Sequence, residues 1–209
     1  EEGTPDCDVL SWSGGKDSFL ALVAKANQAA RDVVLLTTFD GRSGQVAHHD
    51  VHIADIRGQA ERLSVSLLLV RLYPESDYQN RIITALQLLR AQRPIRRFAF
   101  GDLHLEHVRR WRLEHFGTAL KALDIEPHFP LWKVPYSDLE TVFFSSGATA
   151  TVSAVADSGL SSICSVGDRF TADWLDQLPD DVDRFGENGE FHTLVTPPAT
   201  SWRLSLIHI

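Results

Sequence analysis

A pair of glycines set between a buried strand and a helix constrains this chain more than any other feature. Val9-Leu10-Ser11-Trp12 is an apolar run of strand character, and Phe19 to Ala30 reads as a helix. Between them stands Ser13-Gly14-Gly15-Lys16-Asp17-Ser18. A strand that turns through Gly-Gly into a helix is the corner of an α/β unit. The first N–H groups of the helix are then expected to stand unpaired above the sheet. Those donors, with roughly half a positive charge from the helix dipole, make an anion site. Gly14 and Gly15 let an anion approach the backbone, Lys16 adds a full charge, and Ser13 and Ser18 offer hydroxyl donors. The spacing is not that of the P-loop of kinases and GTPases, which needs four residues between its first glycine and Gly-Lys-Ser/Thr. The bland alternative is a tight turn that happens to contain Gly-Gly.

The segments that follow alternate in the same manner. Val33 to Phe39, Val65 to Leu72, Arg97 to Phe100 and His128-Phe129 read as strands. Ile53 to Leu63, Tyr78 to Arg93 and Glu106 to Leu123 read as helices, and Asp40 to Gln45 as a polar loop. The alternation predicts a three-layer α/β fold, with a mostly parallel sheet of about five strands and helices on both faces. Ligands in such sheets sit at the carboxyl ends of strands near the switch point, where Gly14, Asp40 and Asp102 all fall. The rhythm changes near Pro135. Ser137 to Ser146 looks helical, Thr149 to Val155 β-rich and Phe170 to Leu178 helical. This predicts a nucleotide-binding domain over 1–133 and a small C-terminal α/β subdomain, carrying part of the substrate site, over 134–209.

With a net charge of −8, the chain lacks the cationic excess that binds nucleic acid, so no nucleic-acid partner is expected. No apolar stretch reaches the roughly 18 to 20 residues of a membrane span. The two cysteines, Cys7 and Cys164, suggest no disulfide framework. A cytoplasmic location is expected, with a homodimer left open. No methionine occurs, even at position 1, as expected of a fragment, and Ser205 to Ile209 is either a last strand or an apolar tail.

A second motif, Gly186-Glu187-Asn188-Gly189-Glu190-Phe191-His192-Thr193, packs two glycines, two carboxylates and a histidine into a few residues. Together with the Ser-Gly-Gly-Lys-Asp-Ser loop, Arg110-Trp111-Arg112-Leu113-Glu114 and Pro130-Leu131-Trp132, it resembles the diphthine–ammonia ligase family of ATP pyrophosphatases. The resemblance covers nearly the whole chain. It departs at Asn188, where the ligases carry glycine, and at His192, where they carry glutamate. Both departures fall in the substrate site, so nucleotide use carries over further than substrate identity.

The resemblance implies a fold of the HUP or PP-loop type, ATP and Mg²⁺ as cofactors, and a carboxylate-bearing substrate with ammonia. The reaction it implies is ligation through an acyl adenylate, with release of AMP and pyrophosphate. A universal-stress-type nucleotide sensor and another PP-loop pyrophosphatase, such as a tRNA-modifying enzyme, are the alternatives. In the ligase reading Ser13, Gly14, Gly15, Lys16, Asp17 and Ser18 hold the phosphates, and Asp17 is the Mg²⁺ carboxylate. Lys16 would also stabilise charge on the departing pyrophosphate. Asp102 would face the metal or nucleotide, or else cap the next helix. Arg110 and Arg112 would grip an anionic substrate group, or form a solvated face with an Arg110–Glu114 pair. Glu187 and Glu190 would orient ammonia or act as base, or cap a turn. Gly186, Gly189 and His192 complete the substrate site. The histidines at 48, 49, 52, 104 and 107, of which His49 is the best candidate, lack a zinc-site context and read as solvated or nucleotide-side groups. Trp111 and Trp132 read as packing residues.

Overall fold

A computed structural model of the protein describes residues 6–26, 32–46, 51–156 and 164–198. Five parallel strands form its centre in the order β5 (Ser66–Leu72), β2 (Asp32–Asp40), β1 (Cys7–Ser11), β6 (Ile95–Ala99) and β7 (Glu126–His128). A short antiparallel hairpin, β3 (Gln45–Val46) and β4 (Val51–His52), extends the end of β2 and brings the sheet to seven strands. The polar loop expected after Asp40 therefore ends in paired backbone. Two-residue strands are too short to show a sequence period.

Alternation along the strands divides the core between the two faces. Cys7, Val9, Val34, Leu36 and Phe98 join Ile82 and Leu86 of α3 (Tyr78–Arg90) and Phe116 and Leu120 of α4 (Glu106–Ala122). On the other face Leu10, Trp12, Leu35 and Phe39 meet α1 (Lys16–Ala26) and α2 (Ile53–Leu63). Successive residues of α1 from Phe19 to Val23 are all buried. A helix apolar all round must be covered all round. Its outer side is covered by α5 (Tyr136–Ser145) and by β9 (Phe191–Thr196), the partner of β8 (Thr149–Val155) in a two-stranded antiparallel sheet. Phe19 meets Phe143 of α5 edge-to-face at 6.0 Å. The C-terminal segment thus shares one core with the main sheet. Between the last two strands lies a single helical turn, α6 (Ala172–Leu175), where a longer helix from Phe170 to Leu178 was expected.

The fold is the expected three-layer α/β type. Helix α1 starts at Lys16, inside the Gly-Gly motif and three residues earlier than the apolar run suggests. Strand β9 was not evident beforehand, although Phe191, Thr193 and Val195 are buried in alternation. No helix among the described residues is long and apolar enough to cross a membrane. His48, His49 and the tail from Ser205 to Ile209 lie outside the described residues.

Candidate functional site

The Gly-Gly corner stands at the carboxyl end of β1, where β1 parts from β6. Gly14 has φ +83°, and a Cβ there would lie 2.6 Å from Ile56 Cδ1 and 2.8 Å from Gln59 Oε1, so the turn admits only glycine. Strand β9 closes over this corner. The Val195 N–H donates to the Gly14 carbonyl at 2.9 Å, and the Lys16 N–H donates to Thr193 Oγ1 at 3.1 Å. Gln59 of α2 ties the arrangement together. Its Nε2 donates to the carbonyls of Gly14 at 2.9 Å and Val195 at 2.6 Å, while Oε1 accepts from Trp12 Nε1 at 2.9 Å. The Gly15 N–H finds Ser13 Oγ at 3.3 Å, and Ser18 Oγ donates to the Gly15 carbonyl at 2.9 Å. Two N–H groups expected to stand open, those of Gly15 and Lys16, are thus capped by hydroxyl oxygens.

The segment around Gly186 completes a cleft of about 220 Å³ above this corner. Ser13, Gly15, Lys16, Asp17 and Ser18 form its floor, Asp102 and Arg112 one wall, and Glu187, Gly189 and His192 the other. Gly186 turns the chain at φ +68°, with room for no Cβ because Phe191 O would lie 2.6 Å away. Residues about 170 positions apart in sequence are joined here, as in the Lys16–Thr193 bond, where the separation is 177.

Lys16 is 2% exposed. Its ammonium donates to the Phe185 carbonyl and, at 3.0 Å, to Asp17 Oδ2. The rings of Phe185, Phe191 and Phe170 surround it at 5.3, 5.4 and 5.9 Å. A cation in so apolar a box is held by its partners and by ring quadrupoles. The other oxygen of Asp17, Oδ1, is buried and accepts no hydrogen bond. Burial raises the Asp17 carboxyl above its ordinary range, Lys16 opposes this, and Asp183 and Asp102 add to it.

Burial is also the main reason why Glu187 is pushed up to about 7, with the charge of Asp17 second. Lys16 and a hydrogen bond from the Leu103 backbone pull it partly back. Crowded carboxylates with displaced proton affinities are a common mark of a working site.

The remaining candidates are unevenly placed. Asp102 does not cap α4, whose N-cap is Leu105; instead Asp102 Oδ2 faces Arg112 Nε at 3.4 Å. The Arg112 guanidinium lies 4.9 Å from the Phe100 ring and 5.5 Å from that of Trp111. Arg110 is exposed and outside the cleft. At about 100° per residue, two positions on a helix point nearly opposite ways, so Arg110 and Arg112 are not brought together. Arg109 lies instead over the rings of Trp132 and Phe129, at 4.9 and 5.3 Å. Glu190 also turns away from the cleft. Its carboxylate accepts from the backbone N–H groups of Asp183 and Asn188, both at 3.0 Å, so it closes its own turn. His52 caps α2 by accepting from Ala54 N at 3.2 Å, and His107 is exposed. Among the described residues no group of three or more His, Cys, Asp or Glu side chains is placed to hold a metal ion.

Gln59, Asp183 and Tyr136 escaped the sequence reading. Asp183 Oδ1 accepts from the N–H groups of Phe185 at 2.8 Å and Glu187 at 3.2 Å. The Tyr136 hydroxyl donates to the Asp183 carboxylate, at 3.0 and 2.8 Å from its two oxygens, and lies 3.0 Å from His104 Nδ1. Burial, then Asp183, raises the phenol far above its usual range, which keeps it a donor. Gln59 alone left a signal, a polar residue within the apolar stripe Ile56, Ala60, Leu63 of α2.

The sequence matches no protein-family model and no curated protein. The fold is similar to a solved structure described as a predicted subunit of tRNA methyltransferase from Methanocaldococcus jannaschii, with a TM-score of 0.50 and 17% identity. The match covers 94% of this chain and 99% of that one. The two share a fold. At this identity the likeness speaks for architecture alone, and the ligase resemblance rests on the motifs.

Proposed function

We propose that the protein is an ATP-dependent enzyme that cleaves ATP between its α- and β-phosphates and transfers AMP to an oxygen of its second substrate. The observation that carries this reading is the meeting of Ser13–Ser18 with Gly186–Thr193 in one cleft at the strand carboxyl ends. A cleft of about 220 Å³ is smaller than the roughly 300–1,000 Å³ of a whole small-molecule pocket. It suits the phosphates, with the rest of the nucleotide outside.

An ammonium has three N–H donors. Lys16 gives two to Phe185 and Asp17, and the third is available to a phosphate oxygen as charge grows on the leaving pyrophosphate. Asp17, whose Oδ1 has no hydrogen-bond partner, would hold Mg²⁺. This ion takes one or two carboxylates with phosphate oxygens and water, so it needs no cluster of three protein ligands. When bound it would neutralise phosphate charge. In the ligase form of the reaction a substrate carboxylate attacks the α-phosphorus and pyrophosphate departs. Ammonia then displaces AMP from the acyl adenylate, and Glu187 takes the proton that the nitrogen loses.

A second reading is another PP-loop pyrophosphatase that modifies tRNA, with which the description of the structural neighbour as a predicted subunit of tRNA methyltransferase is compatible. Mg-ATP incubated with ammonium and a panel of carboxylates, and separately with tRNA, decides between them by which addition accelerates pyrophosphate release. AMP and pyrophosphate are the expected products; ADP and orthophosphate would end both readings, and binding without turnover would point to a sensor. Lys16→Ala and Asp17→Ala should each weaken Mg-ATP binding at least about tenfold, the loss of one charge-assisted hydrogen bond. Calorimetry finding wild-type affinity in both folded variants removes the phosphate role of the loop.

A further inference from the structure

Backbone bonds fold the turn from Asp183 to Glu190, from Gly186 N to Asp183 O at 2.9 Å and from Gly189 N to Gly186 O at 3.0 Å, and one from Ala156 N to Glu190 O at 2.9 Å ties its end to the strand before it. Yet none of them holds the N–H groups of Phe185 and Glu187, the residues that deliver a carbonyl to Lys16 and a carboxyl to the cleft. Those two N–H groups are held by a side chain. Asp183 Oδ1 accepts from Phe185 N and Glu187 N, at 2.8 and 3.2 Å, and so fixes the residues that carry those two groups. Asp183 is held in turn by the Tyr136 hydroxyl, and its own N–H donates to Glu190 Oε1 at 3.0 Å. Tyr136 is firmly mounted. It opens α5 directly after Pro135, and its ring lies 4.6 Å from that of Phe185 at an interplanar angle of 32°. Its one hydroxyl proton goes to Asp183, which leaves the phenol oxygen free to accept from His104 Nδ1, 3.0 Å away, when that nitrogen carries a proton.

We infer that Tyr136 and Asp183 form the positioning pair of the cleft, setting where the Phe185 carbonyl and the Glu187 carboxyl stand against Lys16 and Asp17. Neither residue lines the cleft, so neither is a catalytic residue. The inference rests on the adenylating reading above for its consequence in turnover, though not for its consequence in structure. Misplacing reacting groups by about 1 Å costs up to about a hundredfold in rate, whereas the phosphate floor is built by other residues. The pair is therefore expected to act on turnover far more than on nucleotide binding.

Tyr136→Phe removes one hydroxyl and keeps the ring; Asp183→Asn keeps the shape and weakens the acceptor. Both are measured in two ways: AMP formation from Mg-ATP, and amide hydrogen exchange at Phe185, Glu187 and Val195. The expected result is a fall in kcat of about tenfold or more with KM for Mg-ATP within about twofold. The Phe185 and Glu187 amides should exchange about tenfold faster, with Val195, bonded to Gly14, unchanged. An unchanged kcat, or a rise in KM alone, overturns the inference. Should the wild type form no AMP, the adenylating reading fails instead. Amide exchange then decides the pair alone, and unchanged protection at Phe185 and Glu187 overturns it.

Discussion

Glu187→Gln is expected to lower kcat by about 10²- to 10⁴-fold, the contribution of a positioned base, while making the protein more stable at pH 8. Both effects have one origin. The carboxyl is pushed up to about 7 from its ordinary 4.5, chiefly by burial and then by Asp17. Between those values the folded protein keeps a proton that the unfolded chain releases. The favourable contribution of this group is therefore complete below about pH 4.5 and is lost as pH rises through about 7. At pH 8 the folded state carries an ionised, half-buried carboxylate beside Asp17, at a cost of roughly 1–3 kcal/mol. Glutamine keeps the shape and an oxygen to accept from the Leu103 backbone, and it has no proton to lose. The variant and wild type should melt together near pH 4 and separate in the variant's favour as pH rises to 8. Equal melting temperatures at pH 8 would show that the carboxylate is not strained. An unaltered rate would remove it from the reaction.

Gln59→Ala should cost about 3 kcal/mol in urea unfolding, far more than a surface change on a helix. The side chain satisfies the Trp12 indole N–H and donates to two backbone carbonyls, all in buried surroundings. Alanine leaves the indole N–H without its acceptor and opens a space beneath the Gly14 turn. Both are expensive in a closely packed interior. Val195 N still reaches Gly14 O, so the strand has one remaining anchor. A loss below about 0.5 kcal/mol would mean that Gln59 merely fills space.

How legible each part was in the sequence follows from how local its cause is. Strands β1, β2 and β5 are short apolar runs because both faces of the sheet are covered, and such runs announce themselves. The glycine corner is local too, since a strand, two glycines and a helix are adjacent in the chain. That the Gly186 segment would return to this corner could be expected from its chemistry, and it does. The direction of its side chains could not. Glu187 and Glu190 look equivalent in sequence, but the second is taken by the N–H groups of Asp183 and Asn188. The cation box around Lys16 depends on Phe170, Phe185 and Phe191, which no spacing rule links to residue 16. The opposed directions of Arg110 and Arg112 were open to helical geometry, because 109, 112, 116 and 120 mark the inward stripe of α4.

The bond from Lys16 N to Thr193 Oγ1 spans 177 positions, which gives the cleft a time of assembly as well as a place. At about 5–20 residues per second, a ribosome finishes the glycine corner roughly 10 to 35 s before it makes the strand that closes it. Throughout that interval the nascent chain has the glycine corner but no Phe185 carbonyl for Lys16 and no Glu187. A chain released early, by a stop codon or a protease cut before residue 185, would carry the glycine corner without the strand that closes over it. On the adenylating reading proposed above, synthesis order would separate holding a nucleotide from consuming it.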